Sequence, residues 1–197
     1  MYPLFESIRL SEGKFDRLEW HQSRIDHSCL DIYKKVPSWR LGNQLESYSI
    51  PGPGLYKCRM TYNLNLANVE FIPYELRPVR TLKLIPDDSI DYEHKWVDRD
   101  SLLKLIEQRG VCDDILIVKH GMITDSSYSN IVFGKDGQWY TPSTKLLGGT
   151  MRQYLLDVDL IQEDEITEAN FREFKSFRLI NAMVQWDGPA IDVSNIY

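Results

Sequence analysis

Short apolar runs separated by turn-forming residues are the feature that most constrains what this chain can fold into. Runs of this length are typical of strands, and only a few longer segments show helical spacing. Strands are predicted over residues 4–10, 14–18, 55–63, 69–74, 80–85, 114–119, 122–124, 131–133, 138–140, 176–180 and 183–186. Helices are predicted over residues 19–35 and 100–109, briefly between the prolines and glycines of residues 37–54, and after Gly149. Many strands with a few helices and no strict alternation predict an α+β fold.

A connector at Pro86-Asp87-Asp88 indicates where the chain divides into domains. The sequence shows no internal repeat and no low-complexity tract that would suggest another arrangement. We therefore expect a small N-terminal α/β domain over residues 1–86 and a larger C-terminal domain over residues 87–197.

Composition excludes several classes of protein. The chain has 197 residues, 43% of them hydrophobic, and a net charge of −6, which argues against binding to nucleic acid. Its three cysteines form no CxxC pair, so neither a disulfide framework nor a zinc site is expected. The N-terminus lacks the unbroken apolar stretch of a signal peptide, and no run reaches membrane-spanning length. A cytoplasmic protein without a membrane or nucleic-acid partner is the expectation.

Five motifs, in a fixed order, carry a resemblance to a known family. HKWVDR at residues 94–99 is followed by ITDSSYSNIVF at 123–133 and TPSTKLLGGTMR at 141–152; LFESIRL at 4–10 and LEWHQSRI at 18–25 precede them. Their order and spacing resemble the class IV aminotransferase family over roughly residues 4–186. That family includes branched-chain and D-amino-acid aminotransferases and 4-amino-4-deoxychorismate lyase. The resemblance implies the fold type IV architecture, pyridoxal 5'-phosphate (PLP) as cofactor, a small-molecule amine as substrate and a homodimer.

A PLP enzyme needs an amine that binds the cofactor covalently and a carboxylate that keeps the pyridine nitrogen protonated. Lys95 matches the family's cofactor-binding lysine, although most lysines are solvated surface residues. Asp125 matches the position of the pyridine-nitrogen carboxylate, which is normally a glutamate in the family. The alternative for Asp125 is an ordinary turn residue before Ser126 and Ser127.

The cofactor also needs an anion pocket for its phosphate. Gly149 and Thr150 before a predicted helix are suited to this, because backbone amides at a helix N-terminus point at an anion. The family usually has threonine where Met151 stands. Arg24 of the His-x-x-Arg motif matches an arginine that reaches the phosphate in relatives, and its alternative role is a structural salt bridge.

Two further positions complete the resemblance around the phosphate and the lysine. Asn181 and Ala182 correspond to a second phosphate-contacting turn, with Ala182 replacing the usual hydroxyl residue. Arg99, one helical turn after Lys95, would either anchor its turn or cap the following helix. Asn130 is expected to hold its loop together.

Substrate recognition is less strongly encoded. Lys57 and Arg59 share a strand face by the period of two, and the family often places a cation near here for a substrate carboxylate. Ser7 stands where lyase-like members have threonine and branched-chain aminotransferases have glycine, and its hydroxyl could relay a proton beside Lys95.

Three activities remain open at this stage. Ser7 favours the lyase that converts 4-amino-4-deoxychorismate to 4-aminobenzoate and pyruvate. A transaminase acting on branched-chain or D-amino acids with 2-oxoglutarate is the alternative. Substitutions at 125, 151 and 182 also leave a non-catalytic binding module possible. Family members usually carry a further strand and loop before LFESIRL, and their absence affects which substrates the site would accept.

Overall fold

The computed structural model describes residues 3–65 and 67–197. These residues form two compact units. The first contains the described residues of Met1–Leu76 together with His94–Asp98, and the second contains Arg77–Glu93 and Arg99–Tyr197.

The first unit is built on an antiparallel sheet. Its elements are β1 (Leu4–Ser11), β2 (Lys14–Phe15), α1 (Leu18–Tyr33), α2 (Leu41–Glu46), β3 (Leu55–Tyr62) and β4 (Ala67–Pro73). The strand order is β2-β1-β3-β4, with β1 paired along its whole length to β3. The predicted hairpin, first helix, short second helix and next two strands are therefore present, with small shifts at their ends.

Alternation along β1 gives the sheet two different faces. Leu4 and Ile8 are fully buried, and they pack in one core cluster with Ile25 of α1. We call this side the inner face. Phe5 and Ser7 point to the opposite side, the outer face, because successive strand residues alternate.

A distant segment extends the sheet along the edge of β1. The backbone N–H of Phe5 donates to the Lys95 carbonyl at 3.0 Å, and the N–H of Val97 donates to the Pro3 carbonyl at 2.8 Å. Trp96 packs against the core cluster of the first unit. Residues 94–98 therefore belong to the first unit although they lie beyond the predicted boundary.

The second unit, all of whose residues the structure describes, contains an eight-stranded sheet. Its strands are β5 (Leu82–Pro86), β6 (Asp114–Lys119), β7 (Met122–Ser126), β8 (Asn130–Lys135), β9 (Gln138–Pro142), β10 (Gln162–Asp164), β11 (Ser176–Ile180) and β12 (Ile191–Asp192). Its helices are α3 (Asp100–Ile106) and α4 (Thr150–Asp157), with short 3-10 turns at Glu107–Arg109, Phe171–Glu173 and Val193–Asn195. The order is β10-β9-β8-β7-β6-β5, and β11 joins β8 to β12.

The strand with which β5 pairs determines the unit to which β5 belongs. β5 is parallel to β6, and Leu82 belongs to the buried core of the second unit. Residues 77–86 therefore lie with the second unit, whereas the boundary predicted from sequence follows residue 86. The Pro-Asp-Asp connector is the end of a core strand and the turn after it: Asp87 accepts hydrogen bonds from the backbone N–H groups of Ser89 and Ile90.

One predicted strand is wrong. Residues 183–186 form turns, because the Asn181 side chain accepts hydrogen bonds from the backbone N–H groups of Met183 and Val184. A side chain that accepts hydrogen bonds from the backbone N–H groups just after it favours a turn over the extended backbone that strand pairing requires. Within the described residues, no helix has both the length and the apolar character that crossing a membrane requires.

Candidate functional site

The outer face of the first unit carries four predicted site residues, two of which contact the ring of Phe5. Ser7 of β1 lies directly opposite Arg59 of β3 in the antiparallel register, so both side chains project from the same face. The Arg59 guanidinium carbon is 5.2 Å from the centre of the Phe5 ring, and Lys95 Nζ is 4.8 Å from the same centre. Lys57, two residues before Arg59, shares this face.

Lys95 is held by its neighbours in the chain. Its carbonyl is bonded to β1, and Trp96 beside it is anchored in the core. The His94 ring meets the Trp96 ring edge-on at 5.6 Å, and His94 Nε2 lies 3.9 Å from a carboxylate oxygen of Asp31 on α1. The backbone of Lys95 is therefore fixed on both sides, and its amine projects over the Phe5 ring on the outer face.

Lys57 and Arg59 give this face its positive charge. Lys57 Nζ lies 6.0 Å from the centre of the Tyr74 ring. Glu70 of β4 is opposite Arg59 in the register, so it supplies a negative charge on the same face. Both cations are half-buried, an arrangement in which a carboxylate ligand gains more than it would at a fully solvated lysine.

Arg24 lies on the other side of β1 from Lys95. Its Nε donates to Glu6 Oε1 at 2.9 Å, and its Nη2 is bonded to Glu6 Oε2. The structural salt bridge considered from sequence is thus present, with a partner that the sequence did not suggest. Arg24 as a phosphate ligand stays a prediction.

Asp125 is buried near the end of β7 and is surrounded by donors. Asn130 Nδ2 donates to Oδ1 at 2.8 Å, and the backbone N–H groups of Leu146 and Leu147 donate to Oδ2 at 3.1 and 2.9 Å. Burial raises the pKa of Asp125 to about 6, although these hydrogen bonds and the charge of Arg152 lower it. A carboxylate can accept about four hydrogen bonds, so three protein donors leave capacity for one more.

Asn130 connects Asp125 to the start of α4. Its Nδ2 also donates to the Leu147 carbonyl at 2.9 Å. A Cβ atom at Gly149 would lie 1.8 Å from Asn130 Oδ1, so only glycine fits there. The glycine that sequence analysis assigned to a phosphate cradle is thus required by Asn130. Thr150, which is buried, begins α4 directly after it.

Asn181 and Ala182 form a turn tied to the loop between β7 and β8. Asn181 Nδ2 donates to Ser129 Oγ at 2.8 Å, while its Oδ1 caps the turn. The Asn181 side chain thus has a structural task. Its link to Ser129 places this turn beside the loop that joins Asp125 to Asn130.

Arg99 anchors that same loop. Its Nη2 donates to the Ser127 carbonyl at 2.6 Å, and its guanidinium carbon lies 4.1 Å from the centre of the Tyr128 ring. Arg99 precedes α3 without making a side-chain cap. The capping alternative is therefore wrong, and the segment that Arg99 anchors is the loop of Ser127 rather than its own turn. Asn130 holds its loop together, as expected.

Two residues of these surroundings, Phe5 and Glu6, were not predicted from the sequence. Phe5 brings two cations to one ring, and Glu6 is a fully buried carboxylate. Glu6 could have been recognised from the sequence as a buried charge, because it lies on the same strand face as the apolar residues Leu4 and Ile8. A charged residue at an inward position is costly without a partner, so it should have prompted a search for one.

Comparisons with known proteins agree with this architecture. The family model described as amino-transferase class IV matches residues 3–187. A Haemophilus influenzae protein described as uncharacterized is 36% identical over 186 residues, covering 93% of this chain and 98% of that protein. A crystal structure from Haemophilus somnus, provisionally named 4-amino-4-deoxychorismate lyase, is 34% identical with a TM-score of 0.88, and the match covers 93% of this chain and 97% of that one.

A more distant structure shares the fold alone. A hypothetical aminotransferase from Mycobacterium tuberculosis, solved in a PLP-bound form, is 15% identical with a TM-score of 0.76. The match covers 98% of this chain and 81% of that one. Together with the family match, these similarities confirm the predicted α+β fold of the fold type IV class.

Proposed function

The chain belongs to the class IV aminotransferase family, as its motifs predicted, and from this premise we propose that it is a PLP-dependent lyase. Its reaction would convert 4-amino-4-deoxychorismate to 4-aminobenzoate and pyruvate. The observation that carries the proposal is the outer-face group, in which Ser7 and two cations share a face with the Lys95 amine. The similarity to the Haemophilus somnus protein supports the same choice.

The residues present fit PLP. Lys95 supplies a primary amine with a fixed backbone, and Asp125 keeps room for one more donor, such as a protonated ring nitrogen. The backbone at Gly149 and Thr150, the turn at Asn181 and Ala182, and Arg24 would hold the phosphate. When bound, PLP supplies an aldehyde that condenses with amines and a ring that accepts an electron pair.

Lys57 and Arg59 would bind the substrate. 4-Amino-4-deoxychorismate carries two carboxylates, and two cations at i and i+2 on one strand face match two anionic groups. Glu70 lies opposite Arg59 in the strand register, on the same face as the two cations. The two cations would orient the substrate amine towards Lys95.

Lys95 and Ser7 would move the proton. Lys95 Nζ takes the proton from the substrate carbon that bears nitrogen. The Ser7 hydroxyl, on the same face, relays it towards the departing pyruvate. The carbon–oxygen bond to the enolpyruvyl group breaks, and the leaving group takes up the proton to become pyruvate. The ring of the substrate becomes aromatic in the same step, which makes the elimination favourable. A lyase of this kind needs no 2-oxo acid as acceptor.

Product analysis tests the proposal. Purified protein with PLP should form pyruvate and 4-aminobenzoate from 4-amino-4-deoxychorismate without added 2-oxoglutarate. Ser7→Ala should slow the reaction by about 10–100-fold, the usual range for acid–base assistance. Ser11→Ala, on the same strand and face, is the matched control and should react at the wild-type rate.

A second measurement locates the cofactor. Borohydride reduction followed by peptide mapping should place the pyridoxyl group on Lys95, and Lys95→Ala should remove it while the chain stays folded. The lyase is excluded if an ordinary amino acid rapidly converts PLP to its amine form while 4-amino-4-deoxychorismate yields no pyruvate. Such a result would identify a transaminase.

A further inference from the structure

Three charged or polar side chains meet on the inner face of β1, in the core of the first unit. Glu6 and His21 are fully buried, and the Arg24 side chain is 11% exposed. Glu6 lies between two outer-face residues, Phe5 and Ser7, and faces α1. We call Glu6, His21 and Arg24 the inner triad.

Contacts within the inner triad fix the orientation of the arginine. Both Glu6 oxygens bind Arg24, one through Nε at 2.9 Å and the other through Nη2. His21 Nδ1 is 2.6 Å from the second of these oxygens. A planar guanidinium held at two nitrogens by one carboxylate keeps a single plane. His21 in turn prevents the carboxylate from rotating.

Charge states within the inner triad are well defined. Burial would raise the pKa of Glu6, but the Arg24 charge and the His21 hydrogen bond hold it at about 2. Burial lowers the pKa of His21, so at neutral pH its ring is uncharged and Nδ1–H donates to Glu6. One carboxylate and one guanidinium therefore neutralise each other, and the histidine adds a donor without adding charge.

Stability alone is a poor explanation for this arrangement. Replacing a buried ion pair by apolar residues of similar volume is often neutral or stabilising, because both ions must be removed from water. The neighbouring inner-face positions of β1, two residues before and two residues after Glu6, are occupied by the apolar residues Leu4 and Ile8. An apolar residue at position 6 would therefore fit the pattern of the strand.

From this geometry we infer that Glu6 and His21 are positioning residues that orient Arg24 to bind the phosphate group of the cofactor. The inference rests on the proposed use of PLP and on Arg24 as a phosphate ligand, but not on which reaction follows. β1 then serves both ends of the cofactor. Its inner face orients the arginine for the phosphate, and its outer face borders the amine of Lys95.

Binding of PLP compared with pyridoxal, which lacks the phosphate, tests the inference without any turnover. Dissociation constants are measured by absorbance titration of the apoprotein. Glu6→Gln should weaken PLP by about 10–100-fold and change pyridoxal by less than twofold, because an amide cannot hold both guanidinium nitrogens. Glu19→Gln, in the first turn of α1 on its exposed side, is the matched control and should change neither constant.

Two substitutions of His21, one that keeps a hydrogen-bond donor and one that removes it, test this residue separately. Asparagine can place an amide N–H near the position of histidine Nδ1, whereas leucine cannot donate. His21→Asn should therefore bind PLP within about threefold of wild type, and His21→Leu should lose about tenfold, with pyridoxal affinity unchanged in both. A residue that only stabilised the core would change PLP and pyridoxal affinity together.

A double variant covers the case in which Glu6→Gln fails to fold with Arg24 left unpaired. Glu6→Leu/Arg24→Met removes both charges and should fold. Its preference for PLP over pyridoxal should fall at least tenfold below that of wild type. The inference is overturned if the double variant keeps the wild-type preference, or if wild type itself binds both compounds equally. Failure to form 4-aminobenzoate would instead contradict the lyase and leave this result unaffected.

Discussion

Asp125 combines a buried position with donors that suit a charged carboxylate. Its three protein hydrogen bonds favour ionisation, and burial opposes it, so its pKa rises to about 6. At neutral pH most of the carboxylate is ionised, and a protonated pyridine nitrogen beside it would favour ionisation further. The shorter aspartate is therefore compatible with the role that glutamate has in the family.

Asp125→Asn should keep PLP bound but reduce turnover by about 100-fold or more, because a neutral amide no longer favours the protonated pyridine. A positioned charge partner is commonly worth about 2–4 kcal/mol in the transition state. Turnover is compared with that of Asp136→Asn, an exposed hairpin aspartate. Turnover within twofold of wild type would show that Asp125 is only a turn residue.

The same residue makes stability depend on pH. The pKa of Asp125 is 3.8 when unfolded and about 6 when folded, so the folded state binds more protons between these values. The free energy of unfolding should therefore fall as pH rises from about 4 to 6, by at most about 3 kcal/mol, and level off above. Denaturant titrations of the apoprotein measure this slope. Asp125→Asn should flatten it, and an unchanged slope would assign it to other groups.

Among the structural elements, the segment after β11 is held by an arginine between two tryptophans. The Arg178 guanidinium carbon lies 4.4 Å from the Trp139 ring centre and 4.9 Å from that of Trp186. Arg178 Nη1 also donates to the Trp186 carbonyl at 2.9 Å. This clamp holds the far end of the turn that begins at Asn181, so it supports one of the predicted phosphate contacts.

Trp186→Ala should loosen this turn. Loss of a half-buried aromatic ring should lower the free energy of unfolding by about 1–2 kcal/mol, less than the loss of a fully buried ring. Amide hydrogen exchange of residues 182–188 should accelerate, while that of β6 should not. Trp186→Phe keeps a ring for Arg178 and should show a smaller change. Unaltered exchange in residues 182–188 would show that the clamp does not hold the turn.

At the scale of the whole molecule, regular patterns were predictable and long-range partners were not. The strands β1, β3, β6 and β11 follow from short apolar runs, because burial of alternate or all positions leaves a local signal. β10 and β12 are three and two residues long and largely exposed, so they leave no such signal. Residues 183–186 were wrongly predicted because the Asn181 side chain caps a local turn there, and because Arg178 holds Trp186 beside the distant Trp139.

In the candidate site, too, some residues were predictable from the sequence and their long-range partners were not. Motif order located Lys95 and Ser7, and the strand period of two placed Lys57 and Arg59 on one face. In the structure Ser7 and Arg59 share a face, and Arg59 and Lys95 contact one ring. The partner of Arg24 lies 18 positions earlier in sequence, and no spacing rule joins a strand residue to a helix residue at that separation. Such a partner follows only from three-dimensional packing.

Assembly is the last property that the motifs predict for the whole molecule. The resemblance of the motifs to this family implies a homodimer, so we expect one here. Light scattering after size exclusion should give twice the chain mass, and dilution that produces monomers should lower activity per chain in parallel. Apolar side chains that remain exposed in the single chain, including Leu103, Val111 and Tyr128, agree with burial against a second copy. A monomer that retains full activity would contradict the prediction and would require a site built from one chain alone.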